Sequence, residues 1–320
     1  MIIAAENIGT IDKGVYGPFA TPYLAIALTG VTPPGAAWLT ELPCPVLGIG
    51  ETTHPIAGYC DIVAASARDI TAIIANIKAA PIASMTLVQT LRATEYLPIR
   101  AALAVESLAY ATLQGGAENR AWLAARPPTP MPPDQEAEPM LIHRTDTALT
   151  LTLNRLEAHN AINIALRNAL CEGLALAALD PSITEIHLHG TGKCFSIGGA
   201  LEEFGTAPDQ ATAHAIRLTN GPAFHLAAVA NRTTAHIHGA CIGAGAELAS
   251  LCAQVVARKN TFFQLPEIRF GLIPGSGGTV GIARRIGRQR AAYMMLSARR
   301  VGFNTARNWG LIDEEESASF

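Results

Sequence analysis

The chain has 320 residues, 49% of them hydrophobic and 15% charged, with a formal net charge of −3, which predicts a packed globular protein of two domains. The mildly acidic balance argues against a nucleic-acid partner, whose phosphates need a clustered basic surface. No apolar run reaches the roughly 18 to 20 residues of a membrane span, and "MIIAAENIGT" lacks the basic start and apolar stretch of a signal peptide, so the expectation is cytoplasmic with no membrane partner.

The first segment, 1–125, carries two short apolar runs, "CPVLGIG" and "CDIVAAS", that read as buried strands. The runs "RDITAIIANIKAA", "IASMTLVQTLRAT" and "IRAALAVESLAYATLQ" have helical spacing. This predicts a small, mostly helical α/β region. Its acids Asp61 and Glu106 read as capping or surface charges, and the segment is assigned structure rather than function. From Arg126 to Pro139, "RPPTPMPPDQEAEP" is too proline-rich for helix or strand and reads as a linker.

The segment 140–320 opens on "MLIHRTDTALTLTLNR", a hairpin by its alternation and polar turn. A helix over about 161–179, the strand "EIHLHG", the loop "TGKCFSIGGA", one long helix between Asp209 and Ala230, the strand "TTAHIHGA" and a helix containing Glu247 follow. Alternation of strands and helices predicts α/β. The six cysteines show no CxxC or Cys/His spacing, so they read as small hydrophobes, and neither disulfide nor metal is expected.

Two stretches carry chemistry. "SIGGALEEF" and "IGAGAEL" each put small residues where a strand gives way to a helix, leaving backbone N–H groups uncovered. Two such groups meeting at one point stabilise a developing oxyanion. Glu247 stands alone in an apolar helix, where a carboxylate is costly unless paired or working as an acid or base.

With "LNRLEAHNAI", "QLPEIRFGLIPGSGGT" and "ARNWGLID" in the same order, the segment from about Met140 to Glu314 resembles the crotonase superfamily of enoyl-CoA hydratases and isomerases. The resemblance implies a spiral of ββα units forming two roughly perpendicular sheets. It implies an acyl-CoA thioester substrate with no separate cofactor, coenzyme A being part of the substrate. It also implies an oxyanion hole from the N–H groups of Gly199 and Ala244, with Glu247 activating water and Glu267 delivering the C2 proton. Ala158, His159, Ile197, Gly198, Gly243, Pro266 and Gly275 fall on substrate-binding positions of the family. The implied assembly is a homotrimer or dimer of trimers.

Other readings stay open. Glu247 also suits a helix N-terminus, Glu267 a surface loop, His236 and His238 structural roles, and Cys241 simple packing. Arg284, Arg285, Arg288 and Arg290 suit either coenzyme A phosphates or a solvated helix face. Ala200 replaces a frequent aspartate and Leu156 a frequent proline. The match stops soon after "GLIDEEE", so the helices that cover the acyl site in the family are not found there, and the N-terminal helices are expected to substitute. Double-bond isomerisation, hydrolysis, dehalogenation and cofactor-free oxygenation compete with hydration, as does non-catalytic acyl-CoA binding.

Overall fold

A computed structural model describes residues 2–31, 35–127 and 138–316. The chain begins with four parallel strands in the order β1 (Ile2–Ala4), β2 (Leu24–Leu28), β3 (Val46–Gly50) and β4 (Ile62–Ala64). β3 and β4 match the expected runs. β1 and β2 are not anticipated, because the alanines in "IIA" and "LAIAL" weaken the strand signal; burial overrides this in β2, and β1 forms by parallel pairing along β2 at the sheet edge. Three expected helices form as α1 (Thr71–Ala79), α2 (Pro81–Thr94) and α3 (Ile99–Gln114), followed by an unanticipated α4 (Ala117–Ala125). Most of the expected linker lies outside the described residues.

The hairpin forms as β5 (Met140–Arg144) and β6 (Ala148–Leu153), among the described residues the sole antiparallel pair in a six-stranded sheet. After α5 (Ile164–Leu179), β7 (Glu185–Gly190) joins that sheet parallel to β6. The single long helix expected over 209–230 is two: α6 (Gln210–Asn220) and α7 (Pro222–Val229). Pro222 has no N–H with which to continue α6 and instead opens α7 at its first turn.

"TTAHIHGA" is likewise two strands. β8 (Thr233–Ile237) stays in the large sheet, whereas β9 (Ala240–Ile242), after a turn at His238–Gly239, enters a second sheet. This change of sheet aims the chain at α8 (Ala244–Leu251). β10 (Gln254–Ala257) returns to the large sheet, and β11 (Phe262–Gln264) pairs parallel with β9. α9 (Gly278–Ile286), α10 (Arg288–Ser297), β12 (Val301–Gly302), α11 (Phe303–Trp309) and β13 (Glu314–Glu315) complete the described chain.

A single hydrophobic core joins Leu47, Ile62, Ile73, Leu87 and Leu103 of the first segment to Leu151, Leu188, Val255, Phe263 and Met294 of the second. A smaller cluster, with Ile8, Leu24, Ile26 and Leu39, backs the first sheet. The seam is also polar. Asp61 is buried and accepts from Arg92 Nη2 at 2.5 Å and from Arg288 Nη1 at 3.0 Å, while Gln289 donates to the carbonyls of Ala57 and Cys60. Asp61 is therefore neither cap nor surface charge: it ties the first segment to α10.

Candidate active site

The two small-residue turns meet. Ser196 lies between them, its N–H donating to Ala240 and its carbonyl accepting from Ile242, while its hydroxyl donates to the Asn160 carbonyl at 2.7 Å. The Gly198 carbonyl accepts from Ile162, and Ala200 donates to the Ile162 carbonyl, so the intervening Gly199 N–H faces away from this pairing. Gly198 has φ +95°, and a Cβ there would stand 2.9 Å from the Ile242 carbonyl oxygen and 3.4 Å from the Ala244 nitrogen, so only glycine permits the approach. Ala244 is the first residue of α8, where an N–H has no intrahelical acceptor. Gly199 and Ala244 line one cavity of about 420 Å³.

Four glutamates line the same cavity; Glu203 is half-buried, and the other three are nearly removed from solvent, Glu106 and Glu247 at 2% exposure and Glu267 at 8%. Oε2 of Glu247 accepts from the amides of Ser276 (2.6 Å) and Gly278 (3.0 Å). Oε2 of Glu267 is buried with no hydrogen-bond partner among the described residues. Burial pushes the Glu267 carboxyl up to about 8, with the Glu106 charge adding to the rise. Burial also pushes Glu247 well above the usual carboxylate range, reinforced by Glu267 and Glu106 and opposed by the two amides. Glu106 is raised to about 7 by burial, against its donors on Thr279 and Gly277. Three buried carboxyls that repel one another resist ionising together.

The expectation for Glu106 is thus corrected, and with it the assignment of the first segment to structure alone. α3 forms one wall of the cavity through Leu103, Glu106, Ser107, Tyr110 and Gln114. A Cβ on Gly275 would come within 2.4 Å of the Tyr110 ring. Arg217 of α6 sits 4.8 Å over that ring and donates to the Ser107 hydroxyl and carbonyl and to Gln114. The Ser107 hydroxyl also meets His214 Nδ1 at 2.9 Å. The sequence carried a readable sign of this: Glu106 lies between Leu103 and Tyr110 at helical spacing, on the face that packs inward.

Of the sequence-derived positions, Glu247, Glu267, Gly199, Ala244 and Gly275 share the cavity wall. Ala158, His159, Ile197, Gly198, Gly243 and Pro266 do not line it. Instead the His159 carbonyl accepts from Ile197, and Gly198 and Gly243 make the close passage of the two turns, with a Cβ on Gly243 falling 3.0 Å from Glu267 Oε1. Ile197 stays partly exposed. His236 stacks on His189 at 4.2 Å and bonds His187, and His238 meets the Gly192 carbonyl, all outside the cavity lining. Cys241 is buried and packs.

The arginine cluster is a solvated face in part: Arg284 and Arg290 are exposed, whereas Arg285 and Arg288 are half-buried. Arg284 donates to the Leu97 carbonyl, Arg285 pairs with Asp313, Arg288 with Asp61 and Glu95, and Arg290 lies over Trp309. Among the described residues no group of three or more His, Cys, Asp or Glu side chains is placed to hold a metal ion, and no single helix is long and apolar enough to cross a membrane.

The family model for enoyl-CoA hydratase/isomerase matches residues 143–318. A 2,3-dehydroadipyl-CoA hydratase of Escherichia coli K12 is 37% identical over 175 residues, which are 55% of this chain and 68% of that protein. A mitochondrial enoyl-CoA hydratase of Pongo abelii is 30% identical over 171 residues, covering 53% of this chain and 58% of that one. Among solved structures, an enoyl-CoA hydratase of Thermoplasma volcanium superposes with a TM-score of 0.52 at 28% identity, covering 56% of this chain and 72% of the other. The second segment thus has the crotonase-type fold, with α1–α4 and the first sheet built against it.

Proposed function

Since the chain belongs to the enoyl-CoA hydratase/isomerase family, we propose that it is a lyase adding water across the C2=C3 bond of a 2-enoyl-CoA thioester. The observation that carries this reading is the pair Glu247 and Glu267 buried in the cavity that Gly199 and Ala244 also line. Addition at C3 pushes charge onto the thioester oxygen, where two backbone N–H groups lower the barrier.

The donors divide the acid–base work. Two amides favour the ionised form of Glu247, which takes a proton from water as its oxygen bonds to C3. The unpartnered oxygen of Glu267 favours a carboxylic acid, which hands its proton to C2. Solvent exchange then restores both groups. Two carboxyls that resist ionising together can hold one proton between them, which is what a base and an acid acting in one step require. No cofactor beyond the coenzyme A of the substrate enters these steps. A cytoplasmic setting and a homotrimer or dimer of trimers belong to the same reading; light scattering giving a lone monomer at micromolar concentration overturns the trimer.

The test is a panel of short, medium and aromatic 2-enoyl-CoAs, with products identified by mass under air and under argon. Gain of one water, independent of oxygen, is the expected result. A shifted double bond without added water indicates isomerisation, and acyl-CoA binding without turnover indicates a non-catalytic binding subunit; either outcome rejects the hydratase reading.

A further inference from the structure

Four consecutive amides leading into α9 are shared alternately by two carboxylates from distant parts of the chain. Ser276 and Gly278 donate to Glu247 Oε2. Gly277 donates to Glu106 Oε1 at 2.6 Å and Thr279 to Glu106 Oε2 at 2.8 Å, and the Thr279 hydroxyl adds a third donor at 2.6 Å. Glu247 comes from α8 beside the oxyanion turn, whereas Glu106 arrives from α3, ahead of the linker.

We propose that Glu106 is a positioning residue for the reaction: by holding the amides of Gly277 and Thr279 from one side, it aims those of Ser276 and Gly278 at Glu247. The activity side of this proposal rests on the hydratase reading above. The turn contains two adjacent glycines, which carry no side chains to fix their own conformation. Gly277 sits at φ +104°, and a Cβ on Gly278 would fall 2.8 Å from Glu247 Cγ. Leu251 and Pro274 pack closely on the turn, and the two carboxylates supply the directional contacts that set where its N–H groups point. Removing one leaves buried donors unmet and takes away half of the contacts that orient the four amides.

Glu106 also acts by charge. The titratable and charged groups around it are Glu247 on α8, Glu267 after β11, Tyr110 on its own helix and Arg217 on α6. Its charge raises both Glu247 and Glu267, so neutralising it lowers them. The acid form of Glu267 is then lost at lower pH, and the alkaline limb of the rate profile moves down. A residue that merely packed would change stability and leave that limb in place.

The experiment compares the full-length chain with Glu106→Gln and with Thr279→Val, which removes only the hydroxyl donor and keeps both amides. For Glu106→Gln we expect crotonyl-CoA hydration to fall about tenfold in kcat with little change in KM, as for a misplaced base. Its alkaline limb should shift by about half a pH unit downward, with Thr279→Val showing a smaller shift in the same direction. Carbon-13 NMR of labelled glutamate carboxyls follows Glu247 without any substrate. A shifted Glu247 titration in a protein that hydrates nothing keeps the positioning role and rejects the hydratase reading. If Glu106→Gln fails to fold, the Thr279→Val titration decides. An unmoved Glu247 titration in every folded variant overturns the proposal, whatever the activity.

Discussion

Asp61 and Glu106 invite comparison: both come from the first segment, both are buried, and both reach across the seam into the second. Their partners differ in kind. Asp61 is met by the guanidinium groups of Arg92 and Arg288 and by the amide of Val46. Among the described residues the hydrogen-bond donors to Glu106 are neutral, two amides and a hydroxyl, with Arg217 acting on it only through its charge. Cationic donors make the stronger hydrogen bonds to a carboxylate, so the Asp61 contact serves as a joint. Neutral donors offset less of the burial cost, which leaves Glu106 raised to about 7, where it can exchange protons near neutral pH. The same seam therefore contains one acid that holds the segments together and one that tunes what they enclose.

The largest effect expected is at the joint. Asp61→Asn leaves two nearly buried guanidinium groups short of their shared acceptor, and breaking a buried pair from one side costs roughly 3–5 kcal/mol. Urea unfolding should show that loss, while turnover per folded molecule stays near that of the parent. An unchanged unfolding midpoint would mean that the joint contributes nothing, and the contrast with Glu106 would fail.

Next in size are the pocket carboxylates themselves. Glu247→Gln and Glu267→Gln should each lower hydration by at least about a hundredfold, the scale of losing a general base or acid, with acyl-CoA affinity largely kept. Stopped-flow turnover beside equilibrium binding separates the two quantities. Near-normal turnover in either variant rejects its assigned role. Loss with Glu267→Gln alone points to a chemistry needing one carboxylate.

The parts of this site differ in how far the sequence revealed them. Glu247, Glu267, Gly199 and Ala244 stand in short motifs whose order along the chain is itself a signal. α3 was readable over its whole span, because its apolar spacing is helical. What no local pattern shows is the distance Glu106 crosses: its acceptor atoms meet Gly277 and Thr279 more than 170 residues later. Arg288 similarly finds Asp61 227 residues away. The break between α6 and α7 was legible in Gly221–Pro222, a stop signal outweighed by the apolar spacing on either side. The passage from β8 to β9 was hidden, since one apolar alternation continues through two different sheets.

The smallest effect separates the two acids by pH. Glu106, Glu267 and Glu247 all have folded values above the ordinary carboxylate range, so the folded chain binds more protons than the unfolded chain once pH exceeds about 4.3. Stability from these groups is therefore complete in acid and declines as pH rises through about 7 to 8. Histidines act in the opposite sense: burial lowers His189 to about 4 and also depresses His236, adding stability as pH climbs toward about 6.5. The window from about pH 6.5 to 7.5 isolates the carboxyls: the cysteines stay protonated in the folded chain but ionise at about 8.5 once unfolded, which adds a fall of the same sign at higher pH. Across it, urea midpoints should fall, by up to about 1.4 kcal/mol per pH unit for each full proton of difference. The fall should flatten in Glu106→Gln and flatten further with Glu267→Gln added. A midpoint that stays level or rises in the parent chain shows that the three carboxyls are ionised in the folded state, and it removes the physical basis for calling Glu106 the working member of the pair.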